Sequence, residues 1–112
     1  MARELEAAGW EILGTNLRAG AGEIDILARR RGILHVVEVR SRTGTSGWDP
    51  AGSVGPRKRA RIAAVVAALS GQGRLPAHRE LRFDIATVVR HAPNAMPRVE
   101  LIENAFDAVD LM

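Results

Sequence analysis

Two short runs decide the fold: Gly22-Glu23-Ile24-Asp25-Ile26-Leu27 and Val36-Val37-Glu38-Val39-Arg40. Both are rich in branched apolar residues and read as buried β-strand, yet each carries carboxylates. Strand alternation places Glu23 and Asp25 on one face and Ile24 and Ile26 on the other. In the second run Glu38 and Arg40 share a face, opposite Val37 and Val39. The short linker Arg29-Arg30-Arg31-Gly32 predicts an antiparallel hairpin, which sets Asp25 beside Glu38 with a cation next to them. An unpaired buried carboxylate is costly, so such a pair needs a counter-charge. Two carboxylates and a cation on one sheet edge point to a divalent-metal site for phosphodiester chemistry. A plain ion network, in which an arginine neutralises both acids, is the structural alternative.

Working outward, Ala2 to Ala8 has the pattern of an amphipathic helix with Leu5 and Ala8 inward, stopped by Gly9. Trp10 to Leu13 reads as a short first strand and Asn16 to Gly22 as a glycine-rich turn. Glu23–Arg29 and Ile33–Arg40 follow as the second and third strands. Residues 41–55, rich in Gly and Ser and without periodicity, read as a mobile loop. Pro56 is a favoured first helical residue, and Ile62, Val65, Val66 and Leu69 then follow the i, i+3, i+4, i+7 spacing of a helix packed on a sheet, closed by Gly71 and Gly73. Leu81–Val89 is a fourth strand, His91–Pro97 a turn and Arg98–Ile102 a fifth strand. Asn104–Val109 reads as a short terminal helix or turn. The order α-β-β-β-α-β-β predicts an α/β (α+β) fold, a mixed central sheet flanked by helices.

At 112 residues the chain is expected to be one domain, 1–112, with a single core. Apolar residues at 46% and charged residues at 26% are those of a globular protein. Cysteine is absent, which excludes disulfides and thiolate metal sites. No apolar stretch approaches the roughly 20 residues that span a bilayer, and the N-terminus lacks a signal-peptide pattern, so a cytoplasmic protein without a membrane partner is expected. The formal charge of +3 is unevenly placed. Between Arg29 and Arg61 eight Arg and one Lys face only Glu38 and Asp49, whereas the stretch from His91 to Met112 is net acidic. Such an arginine-heavy zone suits phosphate, although a solvated surface has the same composition.

The residues recur as a series: Asn16, Gly22-Glu23-Ile24-Asp25, Val37-Glu38-Val39-Arg40 with Arg42, Val54-x-Pro56-Arg57-Lys58, Arg82-Phe83-Asp84 and Asn104-Ala105-Phe106. In order and spacing the series resembles the YraN-type uncharacterised bacterial proteins (uncharacterised protein family 0102). These belong to the restriction-endonuclease-like PD-(D/E)xK superfamily and are related to archaeal Holliday-junction resolvases. The resemblance implies a restriction-endonuclease-like fold and a nuclease-like protein that binds structured or branched DNA. It implies Mg²⁺ or Mn²⁺ held by Asp25, Glu38 and the backbone carbonyl of Val39. It also implies a homodimer by analogy. An inactive nucleic-acid-binding or assembly module that keeps the fold is the alternative.

Arg40 stands where the superfamily places Lys. Arginine does not lose its proton in a protein, so it can hold a water or neutralise charge but cannot act as a base. Pairing with Glu23 or Asp25 is its structural alternative. Glu23 and Asp84 are possible supporting residues behind the metal ligands, with an edge ion pair and a structural role as their respective alternatives. The resemblance also implies a further Glu on the first helix, which the spacing places upstream of Met1; Glu4 and Glu6 are out of register to replace it. Arg42, Arg57, Lys58 and Arg61 are the nucleic-acid-binding candidates. Three of them crowd the start of the second helix, where cations oppose the helix dipole and an external phosphate is favourable. Trp48 could stack on an exposed base or pack on protein. His35 faces away from Glu38 by alternation and is not a ligand candidate.

Overall fold

A computed structural model describes residues 1–44, 48–50 and 52–106, with the Phe106 side chain excepted. The elements are α1 (Ala2–Ala7), β1 (Glu11–Ala19), β2 (Gly22–Arg30), β3 (Ile33–Thr43), α2 (Pro56–Gly71), β4 (Glu80–Arg90) and β5 (Arg98–Phe106). The strands form one sheet in the order β1-β2-β3-β4-β5, antiparallel throughout except that β3 and β4 run parallel. A parallel neighbour requires a crossover, and α2 supplies it. This is a mixed α+β architecture, as the order of elements predicts, and it is compatible with the restriction-endonuclease-like fold.

The sheet buries both faces. Ile24, Leu27, Leu34, Val36, Phe83 and Ile85 pack under Ile62, Val65 and Leu69, the apolar stripe of α2. On the other face Ile26, Ala28, Val37 and Ala86 pack with Leu5 of α1 and Trp10. Ile24 and Ile26 therefore lie on opposite faces, which corrects strict alternation across Glu23–Ile26. The register shows where this happens: β2 pairs with β3 from Arg30↔Ile33 to Ile26↔Val37, and the pairing goes no further among the described residues. The strands part at Asp25 and Glu38.

Three boundaries differ from expectation. β1 runs to Ala19 rather than ending at Leu13, because Leu17, Arg18 and Ala19 pair with Ile24, Glu23 and Gly22. The expected turn shrinks to Gly20-Ala21, with Gly20 at φ 60°. Asn16, at φ 51°, sits inside this strand just after a register shift between Ile12 and Gly14. β5 continues through Asn104 to Phe106, which replaces the start of the expected terminal helix; residues 107–109 lie outside the described set. Asn104 also has a positive φ, 53°, and lies within the register shift opposite Phe83/Ile85. Asparagine tolerates that conformation, so both residues mark strand irregularities, not strand ends. β3 extends to Thr43, so the expected loop begins at Gly44; residues 45–47 and 51 of it lie outside the described set.

Candidate metal and phosphate site

Where β2 leaves β3, the Val39 amide loses a strand partner and donates instead to Asp25 Oδ2 at 2.8 Å. That bond holds the Asp25 carboxylate against the next strand. Glu38, one residue earlier on β3, points to the α2 face and is 1% exposed. Burial, then a hydrogen bond with Asp25 and the charge of Asp25, push the Glu38 carboxyl up to about 8; Lys58 and Arg40 act the other way. Glu38 Oε1 is buried and without a hydrogen-bond partner among the described residues. Its nearest cation, Lys58 Nζ on the first turn of α2, stands 3.8 Å away, an ion pair but not a hydrogen bond.

Arg40 shares the Glu38 face but does not pair with the carboxylates. Its Nε donates to Ser53 Oγ at 3.1 Å, and Nη2 reaches the Ser53 carbonyl at 3.4 Å. Ser53 Oγ in turn donates to the Pro50 carbonyl at 2.6 Å. Arg40 thus ties β3 to the segment leading into α2, whose buried Val54 completes the core beneath it. Glu23 makes an edge ion pair with Arg18 at 3.4 Å. Asp84 lies on the opposite face: it is fully buried, takes His35 Nδ1 at 2.6 Å and accepts the Asn104 amide at 2.8 Å. Burial raises the Asp84 carboxyl, against the Asn104 amide and His35, which lower it. Trp10 closes this pair edge-on to His35, at 4.4 Å between ring centroids. Asp84 therefore secures the register shift of β5 and stands apart from Asp25 and Glu38.

The basic candidates divide. Lys58 is drawn to Glu38. Arg57 and Arg61 are exposed and make no hydrogen bond or ion pair among the described residues, while Arg42 lies over the Trp48 ring at 5.8 Å. Arg59 donates to the Val54 carbonyl at 2.7 Å. What sequence reading missed here is Lys58 at the carboxylates and Ser53 as the anchor of Arg40. Nothing in strand or helix periodicity signals either, since both depend on how the segment before α2 folds back.

The oxygen donors fit a hard divalent cation. Two close carboxyls, one with a buried oxygen lacking a donor, repel each other once both are ionised, and a cation relieves that repulsion. No group of three or more His, Asp or Glu gathers among the described residues. Mg²⁺ is nonetheless commonly held by one or two carboxylates together with substrate phosphate and water, so two suffice.

Residues 1–88 match the model of a family described as Uncharacterised protein family UPF0102. A UPF0102 protein from Granulibacter bethesdensis is 44% identical over 87 residues, covering 78% of this chain and 54% of the relative. One from Anaeromyxobacter is 39% identical over 105 residues, covering 92% and 75%. One from Lachnoclostridium phytofermentans is 35% identical over 114 residues, covering 96% and 92%. The chain thus spans about half the length of the first of these relatives and most of the other two.

Proposed function

The chain belongs to Uncharacterised protein family UPF0102, and from that premise we propose that it is a metal-dependent nuclease-fold protein that binds structured or branched DNA and hydrolyses phosphodiester bonds. The observation that carries this reading is the paired Asp25 and Glu38 carboxyls, one oxygen of which is buried without a donor. A bound Mg²⁺ or Mn²⁺ supplies Lewis-acid stabilisation of the charge that builds on a phosphate. The chain's own residues prepare the place. Asp25 is fixed by the Val39 amide, and Glu38 presents its free oxygen. Lys58 brings a positive charge to the same spot from α2. Arg40, permanently protonated and anchored on Ser53, adds charge but takes no proton. Arg42, Arg57 and Arg61 face solvent, free to grip the DNA backbone. A cytoplasmic location and a homodimer accompany this reading by analogy with relatives of the fold that cut two strands.

A second reading has its own support. Arg40 in place of Lys removes the group best suited to handle a proton, as an inactive DNA-binding or assembly module would allow. Cleavage of branched and duplex oligonucleotides in Mg²⁺ or Mn²⁺ separates the two. On the first reading Asp25→Asn and Glu38→Gln each lower the rate by about a thousandfold, the scale of several kcal/mol of charge stabilisation, and leave the fold intact. Equal cutting by wild type and both variants would assign the activity to a contaminant. DNA binding without any cutting would favour the module.

A further inference from the structure

The α2 face of the sheet is covered unevenly. α2 packs chiefly over β1 and β2, leaving the far ends of β4 and β5 open on that face. A cleft of about 420 Å³ lies there, with Thr87, Val89 and Ile102 as its floor and His91 and Glu100 at its rim. One wall is Trp48. That indole is partly buried, with the Arg42 guanidinium over the ring at 5.8 Å from its centre. Arg42 is the register partner of Val89, and Arg40 that of Thr87. Glu38 pairs with Ile85, two residues before Thr87, so strand spacings put the cleft floor about 8 Å from the Glu38 backbone. Ligand pockets for small organic molecules begin at about 300 Å³, so the volume suits one nucleoside-sized group.

We propose that this cleft receives a single unpaired nucleobase, stacked on Trp48, next to the phosphate that a divalent cation on Asp25 and Glu38 would hold. The inference rests on the DNA-binding reading above and deepens it, by making a base that has left the stack the feature the protein selects. Three properties of the cleft favour a base over an apolar peptide or a second copy of the chain. An aromatic wall offers a π-face of the kind that stacks on any base. The rim carries an imidazole and a carboxylate ion-paired with Arg98 at 2.8 Å, together donors and acceptors suited to base edges. Arg42, the register partner of Val89, stands exposed beside the cleft floor, as a phosphate-bearing ligand requires.

The test uses the whole chain and three labelled DNAs in buffer with Ca²⁺ in place of Mg²⁺ or Mn²⁺, strand integrity being checked on a denaturing gel: a paired duplex, the same duplex with one unpaired nucleotide, and that nucleotide made abasic. The wild type is expected to bind the base-containing bulge about tenfold tighter than the abasic one, the scale of one stacked base. Trp48→Ala, and Val89→Trp filling the floor, both erase that preference while keeping duplex affinity and an unchanged melting temperature. Trp48→Phe retains most of it. Equal binding of the two bulges by the wild type, or a preference that survives Trp48→Ala, overturns the pocket while leaving DNA binding intact. Failure to bind any of the three DNAs overturns the DNA-binding reading itself. A wild-type dimer that Val89→Trp splits, without any base preference, would give the cleft to a second copy and overturn the proposal.

Discussion

Glu38 is the residue on which the account turns. Its carboxyl is buried beside Asp25, and one oxygen lacks a donor among the described residues. Its folded value of about 8 lies above its ordinary 4.5, so between those values the folded chain binds more protons than the unfolded one. Stability conferred by the neutral acid is therefore fully present below about pH 4.5 and is lost as pH rises through about 8. Without divalent metal, urea unfolding is expected to show stability falling by on the order of 2–4 kcal/mol from about pH 5 to about pH 8. Glu38→Gln should flatten that slope and raise stability at the alkaline end. A wild-type profile as flat as that of the variant would show that Lys58 and Arg40 already neutralise the pair. The position of Glu38 was legible from alternation in Val36–Arg40. Its unpartnered oxygen was not, because that depends on Arg40 turning to Ser53 and Lys58 stopping at 3.8 Å.

At the scale of elements, β2 and α2 set the site. β2 breaks its alternation between Ile24 and Ile26, so Asp25 is freed from the ladder to catch the Val39 amide. The hydrophobic pattern gave no warning, since both isoleucines are buried, one on each face. The asparagines misled for a related reason. Asn16 and Asn104 have turn chemistry, but pairing with β2 and β4 carries the chain past them as strand. α2, by contrast, was legible from Pro56 to Gly71, because its start signal and apolar spacing agree.

Its packing makes a sharp demand on β2. A Cβ on Gly22 would lie 2.7 Å from Val65 Cγ2 and 3.2 Å from Arg61 Cγ. Gly22→Ala is expected to cost about 1–3 kcal/mol in chemical unfolding by forcing α2 off the sheet. An unchanged midpoint would mean that Val65 and Arg61 yield freely. The helix start carries a second expectation. With Lys58 engaged by Glu38, only Arg57 and Arg61 remain to meet phosphate, so Arg57→Ala with Arg61→Ala should reduce the log–log salt slope of DNA binding by about two. An unchanged slope would leave both as bare surface.

Over the whole molecule the two faces of the sheet differ in kind. The α1 face is closed around Leu5, Trp10 and the His35–Asp84 pair, with Arg30 over the Trp10 ring at 4.1 Å. It holds the β5 register, with both oxygens of the Asp84 carboxyl bonded. The α2 face gathers Asp25, Glu38, Arg40 and Lys58 where the helix cover ends, and continues into the open cleft. Among the described residues no helix is long and apolar enough to cross a membrane. One sheet thus separates the bonded His35–Asp84 pair from the Asp25–Glu38 pair, whose Glu38 oxygen lacks a donor among the described residues.

The most direct test of the central claim, that Asp25 and Glu38 hold a divalent cation, is calorimetric titration of Mn²⁺ into the wild type, Asp25→Asn and Glu38→Gln. Repeating it in two buffers of different ionisation enthalpy counts the protons released. The account predicts a single wild-type site that tightens as pH rises towards about 8, with proton release on binding below that pH as Glu38 ionises. Each variant should weaken the site at least about tenfold. Absence of binding to the wild type, or equal binding by all three proteins, would contradict it.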